Sequence, residues 1–226
     1  MAERKIIHEA TAMLKIKHGK TPSTVVFIPT KRRLTIGEIK MCQLVFKDSI
    51  NYKNVFVHRN GFLGYVDFSG FAMTPNGEIY LPSNEYDNVP DFSMAAVPSR
   101  NWFIHEMTHV WQYQLGLKNW WHGIVHGCKL DYSIEEFSED LQHNKERAYN
   151  TDISGRDSSK NFNEFNMEQQ AVIIELWFDA MYLQNYPNNK TAKHHIQGVK
   201  LQGYLMNILQ EFLKNPKDKS LLPENP

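Results

Sequence analysis

The stretch "HEMTH", residues 105–109, is the part of the sequence whose residue types and spacing best suit chemistry. His105 and His109 are four positions apart, so on an α-helix they lie on one face, with β-carbons about 6 Å apart. Two imidazoles at that spacing can bind one zinc ion, and Glu106 lies one step around the helix, beside the metal. Because zinc lowers the pKa of a bound water to about 7, Glu106 can take its proton and pass it to a leaving amine. The pattern predicts a zinc-dependent hydrolase, and its alternative is a buried polar network without a metal.

A catalytic zinc needs a third protein ligand, and the helix predicted over 165–186 offers carboxylates for it. Glu164, Glu168 and Glu175 lie in or just before that helix. We choose Glu168 because it belongs to the polar cluster "NMEQQA" at the start of a helix that is otherwise strongly apolar, where polar residues need a partner. The alternative is that Glu168 only favours the helix N-terminus electrostatically. The rival third ligands are Glu164, Glu146 and His143.

A further donor is expected over the metal, to stabilise the charge that develops on the substrate carbonyl. The sequence does not choose among its candidates, which are Tyr132, Tyr149, Tyr204, His126 and His143. His122 and His126 repeat the four-residue spacing, but flanking glycines disfavour a helix, so we interpret them as cleft or loop residues. His194 and His195 are adjacent and point apart on a helix, which favours solvated surface.

The elements that position these residues change character at the motif. Before it, the pattern predicts a helix over 3–17, a strand over 24–28, a helix over 34–46 with Thr35 and Glu38 as a capping box, a strand over 54–58, and a hairpin with arms 65–71 and 78–81 around the turn 74–77. After it, the pattern predicts helices over 102–115, within 134–149, over 165–186 and over 192–214.

This order predicts an α+β fold, with a small N-terminal sheet and helices followed by a helical C-terminal half. We find no repeat and no low-complexity linker, so we predict a single domain over 1–226, with a flexible tail over 215–226. The strand over 77–82 has two interpretations: an ordinary hairpin arm, or an edge strand that pairs with an extended substrate backbone.

Composition excludes several classes of protein. Lysine plus arginine and aspartate plus glutamate each total 25 in 226 residues, and this zero net charge argues against nucleic-acid binding. The N-terminal segment lacks the continuous apolar core of a secretory signal, and no apolar run approaches the ~20 residues that span a bilayer. We therefore expect a soluble protein made in the cytoplasm without a signal peptide. Cys42 and Cys128 cannot form a four-thiolate site, and we expect two buried free thiols.

Several motifs, in order, carry a resemblance to a known family: "RRLTIGEIKMCQLVFKDSINYKNVFVHR", "NGEIYLP", "DFS", "FIHEMTHVWQYQLG" and "FNMEQQA". From about Arg33 to Ala171 the chain resembles the zinc metallopeptidase domains fused to or encoded beside VgrG spike proteins of bacterial type VI secretion systems. The resemblance implies a zincin-like (gluzincin-like) fold, one Zn²⁺ held by His105, His109 and Glu168, and Glu106 as catalytic base. It also implies a toxin delivered into the periplasm of a target cell, with a VgrG spike or adaptor and a cognate immunity protein as partners.

Three hypotheses follow. The first is a zinc metallopeptidase that hydrolyses peptide bonds. The second is a zinc amidase that acts on the peptide stems of the cell wall. The third is a non-catalytic binding or adaptor module that keeps a zinc site for stability only. The sequence leaves open the substrate, the cleavage preference and the oligomeric state.

Overall fold

The computed structural model describes residues 13–15, 26–28, 30–60, 72–117 and 149–224. Within them the fold is mixed α+β, with small sheets in the N-terminal part and helices in the rest, as predicted. The strands are β1 Met13–Lys15, β2 Val26–Ile28, β3 Lys31–Arg33, β4 Phe56–Arg59 and β5 Ile79–Leu81. The helices are α1 Ile36–Phe46, α2 Ser83–Asn88, α3 Val97–Leu115, α4 Met167–Tyr182, α5 Lys193–Lys200, α6 Gln202–Ile208 and α7 Gln210–Lys214.

The sheet β3–β4–β5 joins one antiparallel pair to one parallel pair. β3 runs antiparallel to β4, and β4 runs parallel to β5 with Val57 opposite Ile79. On the other side of β5, Met73 and Tyr80 exchange both backbone hydrogen bonds, at 3.0 and 2.8 Å. The turn predicted at 74–77 therefore exists, but the first arm predicted over 65–71 lies outside the described residues. Gly77 has φ +77° in this turn, a conformation that favours glycine.

The N-terminal prediction of a helix over 3–17 is wrong for residues 13–15. These form β1, which pairs antiparallel with β2, because pairing with a neighbouring strand outweighs a weak helical periodicity. β2 confirms the core of the strand predicted over 24–28. The remaining residues of the predicted helix lie outside the described part of the chain.

Helix α1 begins at the predicted capping box. The Thr35 hydroxyl accepts from Glu38 N at 3.0 Å, and Glu38 Oε2 accepts from Thr35 N at 2.8 Å. The carboxylate of Glu38 is fully buried and also accepts from Arg32 and from Phe92 N, so its charge is paired. This network ties β3, α1 and the segment before α3 together. Cys42 is a buried free thiol, as predicted, whereas Cys128 lies outside the described residues.

Helices α3 and α4 pack against each other and form the centre of the core. α3 begins at Val97, five residues before the predicted start, because Pro98 suits the first turn of a helix. It ends at Leu115, and the residue that follows, Gly116, has a φ of +128°, a conformation that favours glycine. α4 begins after Asn166, which forms a capping box with Gln169.

The C-terminal part differs from two predictions. The single helix predicted over 192–214 is three short helices, with breaks at Leu201 and Leu209. Residues 215–224, predicted as a flexible tail, pack on the core: the buried indole of Trp111 donates to Pro216 O at 2.7 Å, and Leu221 is 5% exposed. A buried indole N–H needs an acceptor, and the tail supplies it. Among the described helices, none is long and apolar enough to cross a membrane.

Candidate metal centre

The middle of α3 places three polar side chains inside the core. His105, Glu106 and His109 are 7%, 6% and 6% exposed. Their apolar neighbours on the same helix, among them Phe103, Ile104, Met107 and Val110, are fully buried. The centroids of the two imidazole rings lie 5.1 Å apart, as residues one helical turn apart require. Three buried polar groups within five residues need partners, and other elements provide them.

Glu168 reaches the imidazole pair from the first turn of α4. Its Oε2 lies 3.2 Å from Nε2 of His105 and 3.2 Å from Nε2 of His109. One ligand atom from each of these three residues lies within 4.8 Å of the others, which makes them the only group of three possible metal ligands in the part of the chain that the structure describes. The structure thus brings together the three residues that the sequence analysis chose as ligands.

The two distances from the imidazoles to Glu168 suit a tetrahedral zinc. Ligand atoms about 2.0–2.1 Å from a tetrahedral zinc lie about 3.3 Å from one another, close to the 3.2 Å found for both imidazole–carboxylate pairs. The donor set of two imidazoles and one carboxylate is one that zinc accepts.

The second nitrogen of each imidazole has its own acceptor. Nδ1 of His105 lies 3.3 Å from Oε2 of Glu175, and Nδ1 of His109 lies 2.9 Å from Oε1 of Gln112. In the neutral imidazole these acceptors favour a proton on Nδ1, which leaves Nε2, the nitrogen on the side of Glu168, as the atom that would bind a metal. Gln112 is itself held by Gln170 Oε1, to which its amide donates at 2.9 Å.

The electrostatics of the group favour positive charge at the imidazoles. Burial lowers the pKa of His105, but hydrogen bonds to Glu168 and Glu175 outweigh it and raise the pKa to about 10. The pKa of His109 is also raised, because the charge of Glu168 outweighs the effect of burial. Burial raises the pKa of Glu168, yet the two histidines bring it well below its usual value. A divalent cation satisfies the same preference for positive charge.

Two further side chains border the group. Glu106 Oε2 accepts a hydrogen bond of 2.6 Å from the hydroxyl of Thr74, which is also buried. The ring of Tyr149 stacks on that of His105, with centroids 5.7 Å apart and an angle of 18° between the planes. Burial raises the pKa of the Tyr149 hydroxyl, and so does the neighbouring carboxylate of Glu168. Thr74 thus lies beside Glu106, and Tyr149 lies beside His105.

Comparison with known proteins finds similarity both in sequence and in structure. No family model matches the chain. It is 31% identical over 149 residues to the type VI secretion system spike protein VgrG2b of Pseudomonas aeruginosa, a match that covers 65% of this chain and 13% of that protein. It also superposes on the effector domain of Pseudomonas aeruginosa VgrG2b with a TM-score of 0.50 and 29% identity, covering 74% of this chain and 83% of that domain.

The chain is similar to the VgrG2b effector domain. It spans about 13% of the length of the whole VgrG2b spike protein, so the likeness concerns one part of that protein. The resemblance inferred from the motifs thus agrees with both comparisons as far as a VgrG-associated effector domain.

The rival ligands lie elsewhere or outside the described residues. Glu164 accepts from Asn161 N at 2.7 Å in a capping box, so it stabilises a helical turn. Glu175, the third carboxylate considered, contacts Nδ1 of His105 and not the Nε2 side. Glu146 and His143 are not described. Of the five candidate donors, Tyr149 lies at the site and Tyr204 lies 44% exposed on α6, while Tyr132, His126 and His143, together with His122, fall outside the described residues.

One other prediction needs correction. His195 is not solvated surface: it is 5% exposed, and its Nδ1 lies 2.5 Å from Oδ1 of Asp179, because the first turn of α5 packs against α4. Of the two interpretations of the strand over 77–82, the structure favours the hairpin arm, because the backbone N–H and C=O of Tyr80 are hydrogen-bonded to Met73. Residues 73–74, next to Glu106, therefore lie between β5 and the site.

Sequence reasoning missed Thr74 and Gln112. Gln112 carries a usable signal, because it lies three positions after His109 and so shares its helix face. No sequence signal identifies Thr74, because it lies 32 positions before Glu106 and the two meet only in the folded structure.

Proposed function

We propose that the chain is a zinc metallopeptidase of the zincin type, with His105, His109 and Glu168 as ligands of one zinc ion and Glu106 as general base. The observation that carries the proposal is the pair of 3.2 Å distances from both Nε2 atoms to one oxygen of Glu168. Two histidines and one glutamate are a ligand set of catalytic zinc sites, which keep a further position open. Zinc in this place would act as a Lewis acid toward the scissile carbonyl and the attacking water.

Glu106 moves the proton in this mechanism. Its Oε2 is engaged by the hydroxyl of Thr74, so Oε1 takes the proton of the attacking water and then returns it to the leaving nitrogen. Burial at 6% exposure keeps this carboxylate away from bulk water, and the bond from Thr74 fixes its orientation. Tyr149, stacked on His105, is the described candidate for a donor to the carbonyl oxygen.

The substrate in this proposal is an extended peptide. Met73 uses its backbone N–H and C=O for Tyr80, and backbone groups of neighbouring residues in an extended segment point the opposite way. In an extended segment the backbone groups of Thr74 would therefore point away from β5, while its side chain contacts Glu106, so a substrate backbone paired with this segment would lie near Glu106. Main-chain pairing of this kind makes few demands on substrate sequence.

The biological setting is taken from the likeness to VgrG2b. We propose that the chain is an effector of a type VI secretion system that associates with a VgrG spike or an adaptor. In this proposal it acts as a toxin in the periplasm of a target cell, and a cognate immunity protein restrains it in the producing cell.

The proposal is tested by metal content together with activity. Purified wild-type protein is expected to hold about one zinc per chain and to cleave unfolded protein, while Glu106→Gln should stay folded, keep its zinc and lose activity by at least about 10²-fold. A folded wild-type protein that binds no metal, or an active Glu106→Gln variant, would contradict it.

The same experiment separates the other two hypotheses. Purified sacculi are incubated in parallel and the products of both substrates are identified by mass. Cleavage confined to cell-wall peptide stems would indicate the zinc amidase. A toxic effect that Glu106→Gln retains, without products from either substrate, would indicate the adaptor module.

A further inference from the structure

A chain of buried hydrogen bonds leads from His109 to the C-terminal segment of the protein. Nδ1 of His109 lies 2.9 Å from Oε1 of Gln112, and Nε2 of Gln112 donates to Oε1 of Gln170 at 2.9 Å. Nε2 of Gln170 donates in turn to Leu221 O at 2.8 Å. Gln112 and Gln170 are 1% and 0% exposed, so bulk water does not compete for their amide groups.

The backbone carbonyls beside Gln170 fix the direction of this chain. Phe162 O and Leu221 O both face its amide, at 2.9 and 2.8 Å, and a carbonyl oxygen can only accept a hydrogen bond. The nitrogen of the Gln170 amide therefore lies toward the two carbonyls, and its oxygen lies toward Gln112. Gln170 thus presents an acceptor to Gln112.

The orientation of the Gln112 amide follows by the same argument. This amide faces Oε1 of Gln170 and Met167 O, at 2.9 and 3.1 Å, and both atoms only accept. The two acceptors hold the nitrogen of Gln112 on their side, so its oxygen lies toward His109. Nδ1 of His109 is therefore the donor, and in the neutral ring Nε2, which faces Glu168, carries no proton.

Gln112 also joins the two helices that carry the proposed ligands. It lies three positions after His109 on α3, whereas Met167, which accepts from it, is the neighbour of Glu168 in the first turn of α4. A change in the Gln112 amide would therefore affect the orientation of the His109 ring and its distance from the Glu168 turn. Hydrogen-bond partners that orient a ligand in this way raise the metal affinity of a site.

We propose that Gln112 and Gln170 are positioning residues that act as one unit. The amide of Gln170, anchored on Leu221 of the C-terminal segment, orients Gln112, and Gln112 orients His109 for metal binding. This inference rests on the zinc ligation proposed above, and neither glutamine touches the metal or the substrate in it. If the two amides only satisfied each other in the core, their loss would lower stability and leave the zinc affinity of the folded protein unchanged.

The test replaces each glutamine by methionine, which is of similar size and has no amide. Zinc affinity is measured on the full chain by competition with a chromophoric chelator. Gln112→Met should weaken zinc binding about 10- to 100-fold, and Gln170→Met at least about threefold. Because Gln170 acts through Gln112, Gln170→Met should have no further effect in the Gln112→Met background.

Two results of this measurement would overturn the proposal. One is a wild-type zinc affinity in folded Gln112→Met. The other is an equal loss from Gln170→Met in both backgrounds, which would show independent roles. Gln114→Met is the matched control: it makes the same change on α3 and removes the hydrogen bond of 2.7 Å that Oε1 of Gln114 accepts from Asn51 N. Its zinc affinity should equal that of wild type, and a melting curve verifies that each variant is folded.

A second measurement does not need the metal. In protein labelled with ¹⁵N-histidine, the Nδ1 proton of His109 should exchange slowly with water, because Gln112 accepts from it, and faster in both single variants. His109→Ala assigns the resonance by its absence. Unchanged exchange in Gln170→Met would overturn the proposal even if Gln112→Met does not fold. Slow exchange in a wild-type protein that binds no zinc would refute the proposed function and leave the orienting role of the two amides in place.

Discussion

Thr74 links the sheet side of the molecule to the base of the proposed mechanism. Its hydroxyl donates to Glu106 at 2.6 Å, and both residues are buried. A hydrogen bond to a charged group contributes about 1.5–3 kcal/mol, which corresponds to roughly 10- to 100-fold in rate if it acts on the transition state. The side chain of Thr74 does not reach the substrate in this scheme. It positions the carboxylate that does.

The first prediction follows from that contact. Thr74→Val keeps the shape of the side chain and removes the donor, so kcat for peptide hydrolysis should fall about 10- to 100-fold with KM nearly unchanged. Thr74→Ser keeps the hydroxyl and should restore most of the rate. Steady-state kinetics with a melting curve for each variant make the check. A kcat for Thr74→Val equal to that of wild type would refute the positioning role.

In the proposed metal centre, Glu175 acts through His105. As the acceptor for Nδ1, it fixes the orientation of the ring and raises the basicity of Nε2. We predict that Glu175→Gln lowers zinc affinity about 10- to 100-fold, measured by competition with a chromophoric chelator. Glu164→Gln is the matched control, because that carboxylate caps a helical turn away from the ligands. Equal affinities for the two variants would contradict this prediction.

At the scale of elements, the candidate metal centre forms where the middle of α3 lies next to the first turn of α4. α3 supplies both imidazoles and α4 supplies Glu168 from its first turn. The start of α4 is set by the capping box of Asn166 and Gln169, and by Gln170, whose amide donates to Phe162 O at 2.9 Å and to Leu221 O at 2.8 Å. Within the polar cluster "NMEQQA", Asn166 and Gln169 therefore cap the helix, and Gln170 binds the neighbouring backbone. Glu168 is the residue of this cluster that contacts the imidazoles.

The loop before α4 is held by Asp157. This carboxylate is 1% exposed and accepts from Asp152 N at 2.9 Å, Arg156 Nη2 at 3.0 Å and Lys160 Nζ at 2.9 Å. The hydrogen bond from Arg156 and the charge of Lys160 lower the pKa of Asp157. Because the folded pKa is lowered, the carboxylate stabilises the fold above the unfolded pKa of about 3.9, and this contribution is lost as pH falls below it.

A prediction for this loop follows. Asp157→Asn should reduce the free energy of unfolding by about 1–3 kcal/mol at pH 7, because the backbone N–H of Asp152 and the side chains of Arg156 and Lys160 lose their buried, charged acceptor. The difference from wild type should shrink between about pH 4 and pH 2, as measured by urea denaturation at each pH. Asp48→Asn serves as control, since that carboxylate is 80% exposed and should contribute little. A difference that stays constant down to pH 2 would refute the assignment.

At the scale of the whole molecule, the metal is expected to join the two halves of the core. A ligand that binds only the folded state adds RT ln(1 + [L]/Kd), about 2.7 kcal/mol at a free concentration of 100 times Kd. For a chain of this size that corresponds to roughly 5–10 °C in melting temperature. Zinc removal should lower the melting temperature by that amount, and zinc alone should restore it.

The control for this prediction is the ligand variant His109→Ala. Its melting temperature should not respond to chelator or to added zinc, as followed by differential scanning calorimetry. A wild-type protein whose melting temperature is the same with and without chelator would show that no metal stabilises the fold.

Much of the local structure was predictable from residue types alone. The capping box of α1, the strand at 56–59 and the buried ligand helix depend on residues within about one turn or one strand of each other. The start of α3 was less predictable, and Pro98 lies in its first turn. The division of the C-terminal part into three short helices was also less predictable, because tertiary packing influences where each helix ends. The predicted flexible tail was wrong in the described residues because Trp111 and Gln170 require acceptors that the tail supplies.

The sequence by itself determined the imidazole pair with Glu106 between them, because the spacing of residues on one helix is a local property of the chain. It also limited the candidates for a third ligand to a few carboxylates and His143, with Glu168 chosen. Only the tertiary structure shows which of Glu164, Glu168 and Glu175 lies beside both Nε2 atoms, since His105 and Glu168 are 63 positions apart and meet through the packing of α3 on α4. The contact of Thr74 with Glu106 arises in the same way, from elements that sequence order does not bring together.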